Sequence, residues 1–266
     1  MSEPLRVAIT GATSGLGREM AVQLGRRGFR VAVTGRRRDK LEETARAVRA
    51  AGGACLPLEG PVGELAAVRR HYAEIRAAWG GLDWAILNAG VGDSKDAREF
   101  SAQDYRWTFE TNVFGVANWL EAVLPDMLAA GRGTVAAVAS LAGFRGLPGS
   151  GSYCASKAAV IAMMESARLD LRGTGVRAVA VCPGFVKSEL TDRNEPGKMP
   201  FLMDTADGAR AILDGVEAGR PIVHFPWPLS RFVKDVARNL PPALYDPLML
   251  RFGKRRKAPY RGVTPS

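Results

Sequence analysis

Short apolar segments alternate with longer amphipathic segments along most of the chain. Residues 5–10 are apolar and rich in β-branched side chains, and they end at a glycine, as a buried strand does before a turn. The next segment places Met20, Ala21 and Leu24 on one face of a helix. The same alternation predicts further strands at residues 29–35, 54–58, 82–90, 133–140 and 176–184, and helices at residues 39–53, about 63–79, about 101–130 and about 152–173.

The predicted strands are apolar on both faces. Continuous apolar strands separated by helices are typical of a parallel sheet that is covered by helices on both sides. We therefore predict an α/β fold, a single-domain doubly wound parallel sheet of six or seven strands. Ligands of such sheets bind at the carboxyl ends of the strands, near the point where the strand order reverses.

Composition is consistent with one domain. The chain has 266 residues, of which 47% are hydrophobic, enough for a substantial core. No apolar run approaches the roughly 18 residues of a membrane span, and the first residues lack a signal-peptide pattern. The three cysteines are far apart and odd in number, which is typical of reduced thiols. We expect a cytoplasmic protein.

The chemistry available to the chain is limited by its histidines. His71 and His224 are its two histidines, and neither lies in a metal-binding pattern. We therefore expect no metal site, and we expect an acid or base other than histidine.

The net charge of +10 is concentrated near the C-terminus, where residues 251–266 hold six basic residues and no acidic one. Such a tail can bind anionic lipid or nucleic acid, but it is more often a solvated terminus, and we expect no nucleic-acid partner. An apolar stripe precedes it, formed by Leu229, Phe232, Val233, Val236 and Leu240. The stripe packs on the protein itself or on a second subunit, which is the interpretation we favour, or it contacts a membrane peripherally.

A glycine-rich sequence, TGATSGLG, follows the first strand at residues 10–17 and opens the first helix. Glycines here allow a tight turn and bring backbone N–H groups at the helix start close to a pyrophosphate. The alternative is a glycine turn without a ligand, which its place between strand and helix disfavours. The segment predicts a dinucleotide-binding loop.

Six motifs in register resemble the short-chain dehydrogenase/reductase family. They are TGATSGLG, LNAG (87–90), Asn112 in TNVFG, Ser140 in VASLAG, YCASK (153–157) and PGFVKS (183–188). The resemblance implies a Rossmann-like fold and a nicotinamide cofactor, and we expect a homodimer or homotetramer.

The end of the second strand indicates which nicotinamide cofactor is used. Gly35 stands where NAD-preferring members of this family carry Asp, and Arg36 and Arg37 follow. Because arginine suits a phosphate group, we predict NADP(H), although the arginines could instead start a solvated helix. The resemblance implies that the cofactor contacts Gly11, Thr13, Ser14, Gly15, Leu16, Gly17, Arg36, Arg37, Asn88, Ala89, Gly90, Tyr153, Lys157, Pro183, Gly184, Val186 and Ser188.

The candidate catalytic residues are Asn112, Ser140, Tyr153 and Lys157. Tyr153 and Lys157 are four apart and share one helical face. A tyrosine of ordinary pKa, about 10, is a weak acid, and a nearby ammonium group favours its phenolate. The resemblance implies that Tyr153 exchanges the proton with the substrate oxygen, that Ser140 donates to that oxygen, and that Asn112 supports a water-linked proton path through Lys157.

Substrate specificity is expected from residues 91–96, residues 141–147 and the stretch after Phe185. An apolar pocket that favours a hydrophobic ketone, aldehyde or alcohol is predicted from Phe144, Leu147, Phe185, Met199 and Phe201. Residues 188–225 are predicted as a substrate lid and residues 226–266 as an amphipathic, basic extension. The predicted function is an NADP(H)-dependent carbonyl/alcohol oxidoreductase, and the alternative is a catalytically silent NADP-binding regulatory or scaffold protein.

Overall fold

A computed structural model describes residues 3–92, 95–192 and 199–252. Over these ranges the chain forms one parallel sheet of seven strands in the order β3-β2-β1-β4-β5-β6-β7. The strands are β1 Arg6–Thr10, β2 Arg30–Gly35, β3 Ala54–Glu59, β4 Trp84–Leu87, β5 Gly133–Val138, β6 Val176–Pro183 and β7 Ile222–Phe225. The predicted α/β fold with a doubly wound sheet is confirmed.

Helices connect the strands and cover both faces of the sheet. They are α1 Gly15–Arg26, α2 Arg38–Ala50, α3 Leu65–Trp79, α4 Ala102–Phe109, α5 Gly115–Ala129, α6 Gly151–Asp170, α7 Thr205–Glu217, α8 Trp227–Arg231 and α9 Pro242–Phe252. Alternate residues of each strand enter two separate apolar clusters, which include Ala8 on one face of the sheet and Ile9 on the other. Burial on both faces explains why the strands are continuously apolar.

Strand order reverses beside β1. The neighbours of β1 are β2 and β4, both parallel to it, and the two halves of the sheet extend in opposite directions from this point. The segments that follow β1 and β4 therefore meet at one crevice, where an α/β sheet binds its ligands.

The predicted helix at about 101–130 is interrupted in the structure. A π-helical turn, Glu110–Phe114, separates α4 from α5. Close packing accompanies the break, because a Cβ atom on Gly115 would lie 2.6 Å from Cγ2 of Val62. The predicted strand at 82–90 is also shorter than expected, since β4 ends at Leu87 and the next residues turn towards β1.

The C-terminal segment packs on the body of the protein, but the predicted apolar stripe is divided. Leu229 and Val233 pack against the core, whereas Phe232 and Val236 are exposed. The segment changes from α8 to a π-helical turn, Phe232–Val236, and then to a 3-10 turn, so one helical period does not hold throughout. The basic residues from Lys254 onward lie outside the described residues, as do positions 93–94 and 193–198 of the predicted substrate segments.

Within the described ranges, no helix is both long and apolar enough to cross a membrane. The cysteines, Cys55, Cys154 and Cys182, are free thiols, and the last two are buried.

Candidate active site

The glycine-rich loop after β1 fits closely against the segment after β4. Gly11 has a positive φ of 65°, and a Cβ atom there would lie 2.7 Å from Cα of Ala89. A Cβ atom on Gly17 would lie 2.4 Å from the carbonyl oxygen of Gly11 and 2.6 Å from Nδ2 of Asn88. No side chain fits at either position, so glycine is required for the loop and the start of α1 to take this shape.

Asn88 and Thr10 join the two loops through hydrogen bonds. Nδ2 of Asn88 donates to the carbonyl oxygens of Thr10 at 3.0 Å and Gly11 at 3.3 Å. The backbone N–H of Ala89 donates to Oγ1 of Thr10 at 2.9 Å. The predicted cofactor residues at 88–90 therefore lie directly beside the glycine-rich loop.

The two predicted phosphate-binding arginines differ in their surroundings. The guanidinium group of Arg37 donates to Oγ1 of Thr13 at 2.8 Å and to Oγ of Ser14 at 3.1 Å, and it forms an ion pair with Glu189 at 3.1 Å. Arg36 is exposed and has no hydrogen-bond or ion-pair partner among the described residues. Arg36 is thus available to an anion, and Glu189, which the sequence analysis did not identify, holds Arg37 against the loop.

Gly35 itself has little space around it. A Cβ atom there would lie 2.6 Å from Cγ2 of Thr13. Glycine at this position therefore lets the end of β2 lie close to Thr13, in the loop after β1.

The segment after β3 is held by a histidine. Nε2 of His71 donates to the carbonyl oxygen of Glu59 at 2.9 Å, and a Cβ atom on Gly60 would lie 2.9 Å from the imidazole ring. His71 is therefore part of the packing behind this loop.

Lys157 is buried beneath Tyr153. Its Nζ atom donates to the carbonyl oxygen of Val138 at 2.7 Å and lies 5.7 Å from the centroid of the Tyr153 ring. The side chain is only 4% exposed. Burial lowers the pKa of Lys157 to about 8, because the charged form loses its hydration. The structure thus brings this pair together on one face of α6.

Asn112 lies in the π-helical turn, with its side chain buried. Oδ1 accepts from the backbone N–H of Val91 at 2.8 Å, and Nδ2 donates to the carbonyl oxygen of Val91 at 2.8 Å and to Oγ of Ser156 at 2.9 Å. A Cβ atom on Gly90 would lie 3.5 Å from Oδ1 of Asn112 and 3.2 Å from Nζ of Lys157. Asn112 therefore fixes the segment at residues 90–91, which passes Lys157, and Ser156 supports Asn112.

Ser140 follows β5 and begins a 3-10 turn, Leu141–Gly143. Its Oγ accepts from the backbone N–H of Ala142 at 3.1 Å and lies 3.5 Å from the carbonyl oxygen of Pro183. The turn packs on α6, since a Cβ atom on Gly143 would lie 2.7 Å from the carbonyl carbon of Lys157. Ser140 is thus held between the loop after β6 and the helix that carries Tyr153 and Lys157.

Gly92 is a further residue of the site that the sequence analysis did not single out. A Cβ atom on Gly92 would lie 2.7 Å from Cδ2 of Tyr153, so the chain passes directly against the phenol ring. The contact between Gly92 and Tyr153 depends on the tertiary fold. In the sequence, only the presence of a glycine within residues 91–96 could have indicated it.

The end of β6 and the loop after it carry the last four predicted cofactor residues. The backbone N–H of Gly184 donates to the carbonyl oxygen of Phe225 at 2.7 Å, which joins the loop to β7. Val186 is buried and pairs with Met203 in an isolated parallel bridge. A Cβ atom on Gly15 would lie 3.3 Å from Cβ of Ser188, so this loop reaches the glycine-rich loop.

The residues predicted to form the apolar pocket are not equivalent. Phe144 is buried in the core, Phe185 and Met199 are half-buried, and Leu147 and Phe201 are exposed. Residues 205–225 of the predicted lid contain α7 and β7, which pack on α1 and on β6. Outside α7 and β7, the described residues of the predicted lid that precede α7 are 188–192 and 199–204.

The chain is similar to several known proteins. A family model described as short chain dehydrogenase matches residues 6–198. An uncharacterized oxidoreductase of Myxococcus xanthus is 45% identical over 238 residues, which cover 90% of this chain and 93% of that protein. A 3-oxoacyl-[acyl-carrier-protein] reductase of Staphylococcus aureus is 32% identical over 185 residues, which cover 69% of this chain and 75% of that protein.

A solved structure shares the fold along almost the whole chain. The short chain dehydrogenase/reductase of Burkholderia phymatum in complex with NAD has a TM-score of 0.81 and 24% identity, covering 97% of this chain and 98% of that chain.

Proposed function

This chain belongs to the short-chain dehydrogenase family, and on that premise we propose that it is an NADP(H)-dependent oxidoreductase that interconverts a carbonyl compound and its alcohol. The observation that carries the proposal is the position of Lys157, buried with its Nζ atom 5.7 Å from the centroid of the Tyr153 ring. A buried lysine beside a half-exposed tyrosine at the ligand-binding end of the sheet is suited to proton transfer.

The residues around the glycine-rich loop fit a dinucleotide. Gly11 and Gly17 allow the close turn that places the start of α1, at Gly15, at the carboxyl end of β1, and the first N–H groups of a helix can donate to a pyrophosphate. Arg36 has no partner among the described residues, and Arg37 is held across the loop by Thr13. These two arginines favour a cofactor that carries the additional phosphate of NADP(H). We propose that these residues hold NADP(H), which when bound supplies or accepts the hydride.

We assign the proton chemistry to Tyr153. Its hydroxyl group donates a proton to the carbonyl oxygen during reduction, and takes it back during oxidation. The ammonium group of Lys157 stabilises the resulting phenolate, and Oγ of Ser140 donates a hydrogen bond to the same substrate oxygen. Asn112 holds the segment at Val91 and leaves one lone pair of Oδ1 for a water molecule on the path to Lys157.

We propose an apolar carbonyl substrate. Leu147 follows the Ser140 turn and Phe201 precedes the Val186 bridge to Met203, and both side chains are exposed. The similarity to 3-oxoacyl-[acyl-carrier-protein] reductases suggests 3-oxoacyl thioesters as probes beside simple ketones and aldehydes.

We also propose a single-domain cytoplasmic protein that assembles as a homodimer or homotetramer. Phe114 and Leu128 at the two ends of α5 are exposed, and apolar side chains of this kind support a subunit contact. Light scattering of the purified chain measures the number of subunits.

The test of the activity is a panel of carbonyl compounds that includes acetoacetyl-CoA, a cyclic diketone, and aliphatic and aromatic ketones and aldehydes. Nicotinamide absorbance is followed with NADPH and with NADH. We expect turnover of at least one compound, faster with NADPH, and a loss of about 10²–10⁴-fold in Tyr153→Phe. If the wild-type chain binds NADPH but, like Tyr153→Phe, reduces none of the compounds in the panel, the alternative of a catalytically silent NADP-binding protein is supported.

A further inference from the structure

Large apolar side chains are exposed along the C-terminal segment. Trp227 is 70% exposed, Phe232 43%, Val236 46%, Leu244 61% and Leu250 68%. We call these five residues the C-terminal face. Of the twelve large apolar side chains in the described residues that are at least 36% exposed, five lie within these 24 consecutive positions. Exposed apolar side chains that lie together on a protein surface mark interaction sites, whereas single scattered ones are ordinary.

The C-terminal face belongs to a segment that is fixed on the protein. Leu229 and Val233 pack against the core. Tyr245 is buried, and its hydroxyl group donates to the carbonyl oxygen of Gly146 at 2.7 Å. The guanidinium group of Arg145 donates to the carbonyl oxygen of Ala237 at 2.8 Å. The apolar side chains therefore project from a built surface beside the loop that follows Ser140.

Positive charge is concentrated in the same part of the chain. Residues 226–266 contain nine basic and two acidic residues, a net charge of +7 out of +10 for the whole chain. Of the basic residues, Arg231 and Lys234 lie close to Asp235, whereas Arg251 has no ion-pair partner among the described residues. The guanidinium carbon of Arg238 lies 5.8 Å from the centroid of the Phe144 ring, and the five that remain follow residue 252 in the sequence, with no acidic residue between them.

We propose that the C-terminal face binds the surface of a membrane that contains anionic lipids. Apolar side chains that enter the boundary between headgroups and acyl chains, next to basic side chains that attract anionic headgroups, are the combination that peripheral membrane segments use. Tryptophan suits this boundary because one end of its ring system is apolar and the other carries a hydrogen-bond donor.

Charge and apolar exposure favour a membrane surface over a second copy of the chain or a nucleic acid as the partner of this face. Residues 226–252 alone hold four basic and two acidic residues, so a second copy of the chain would bring like net charge towards the first, and self-association through this face is opposed by repulsion. A nucleic acid would satisfy the basic residues but would leave Leu244 and Leu250 exposed without apolar contacts. A lipid surface accommodates both the charge and the apolar side chains.

The test is sedimentation of the full chain with phosphatidylcholine vesicles, with or without phosphatidylserine. We expect at least tenfold stronger binding to the vesicles that contain phosphatidylserine, weakened by salt. Leu250→Ser is compared with Leu169→Ser, since Leu169 is similarly exposed at 63% but lies on α6. Binding should fall in Leu250→Ser, and about tenfold or more in the double variant Trp227→Ser/Leu250→Ser, while Leu169→Ser should bind like the wild type.

Equal binding to both vesicle types, or equal binding by Leu250→Ser and Leu169→Ser, would overturn the proposal. So would a change in subunit number in Trp227→Ser/Leu250→Ser, measured by light scattering, without a change in vesicle binding, because the face would then be a subunit contact. Thermal unfolding of each variant shows whether the fold is intact. If a serine variant does not fold, Arg251→Glu changes the charge without removing an apolar side chain and must also reduce binding. None of these measurements depends on enzymatic activity.

Discussion

The Nζ atom of Lys157 lies 5.7 Å from the centroid of the Tyr153 ring and donates to the carbonyl oxygen of Val138 at 2.7 Å. The lysine thus contacts the backbone of β5 at the same time as it lies below the tyrosine. Because the Nζ atom is buried and its hydrogen-bond partner is a neutral carbonyl group, its positive charge is held at a cost in free energy of folding.

We predict that this cost appears as a dependence of stability on pH. Burial lowers the pKa of Lys157 in the folded chain to about 8, below its ordinary value of about 10.4. Between these values the unfolded chain binds more protons than the folded chain, so the free energy of unfolding contributed by Lys157 rises with pH. The penalty is fully present below about pH 8 and is relieved as pH approaches 10, by up to ~3 kcal/mol.

The measurement compares wild type with Lys157→Met in denaturant titrations at pH 7 and pH 10 without cofactor. We expect the stability of Lys157→Met relative to wild type to fall as pH rises. Cys182, the nearby thiol, has its pKa raised by burial to about 12, so it stays protonated over this interval. A stability difference that is constant with pH would show that Lys157 has an ordinary pKa.

Gly92 should be necessary for the position of the Tyr153 ring. In Gly92→Ala the new Cβ atom would lie 2.7 Å from Cδ2 of Tyr153, so either the ring or the segment that carries residue 92 must move. Misplacement of a reacting group by about 1 Å can reduce turnover about 10²-fold. We expect kcat to fall by about this factor on any carbonyl that the wild type reduces, while NADPH affinity changes little. Gly146→Ala is the control, because a Cβ atom there meets nothing within 4 Å; equal kinetics in the two variants would contradict the role.

Arg36 and Glu189 should act in opposite directions on NADPH affinity. Arg36 has no partner among the described residues, whereas Arg37 is paired with Glu189 at 3.1 Å. We expect Arg36→Ala to weaken NADPH binding about tenfold or more with little effect on NADH, since a charge-assisted contact to phosphate is lost. Glu189→Gln should strengthen NADPH binding several-fold by removing a carboxylate that competes for Arg37.

Dissociation constants from nicotinamide fluorescence check both effects. Arg38→Ala is the control for Arg36→Ala, because Arg38 is also exposed and lies at the start of α2. If Arg36→Ala weakens NADH and NADPH equally, the arginine does not recognise the additional phosphate, and the preference for NADP(H) would have to come from elsewhere.

Much of the fold could be predicted because its signals are local. Six strands and the helices between them follow from periodicity, which depends on neighbours a few residues apart. β7 was not predicted as a separate strand: Ile222–Phe225 is only four residues long and lies between Pro221 and Pro226. The π-helical turn at Glu110–Phe114 was missed as well, since it accompanies packing against a distant residue, Val62.

The site was predicted less completely than the fold. Motifs locate Ser140, Tyr153 and Lys157, but they do not show which contacts support them. Arg37 and Glu189 are 152 positions apart, and Arg145 and Leu240 are 95 apart. No period or spacing relates residues at such distances. The exposure of Phe232 and Val236 could not be predicted either. An apolar period shows that a helix has an apolar face, but it does not show how much of that face the protein covers.

Arg145 should fasten the C-terminal segment to the loop that follows Ser140. Its guanidinium group donates to the carbonyl oxygens of Ala237 and Leu240, and its carbon lies 3.7 Å from the centroid of the Tyr245 ring. Arg145→Ala leaves these carbonyl groups without the donor, and we expect a loss of about 2–4 kcal/mol in the free energy of unfolding. Tyr245→Phe removes only the hydrogen bond to Gly146 and should cost about 1 kcal/mol. Denaturant titrations measure both losses, and limited proteolysis should cut Arg145→Ala within residues 226–252 faster than Tyr245→Phe. Equal stability of Arg145→Ala and wild type would mean that the apolar contacts of Leu229 and Val233 hold the segment without the arginine.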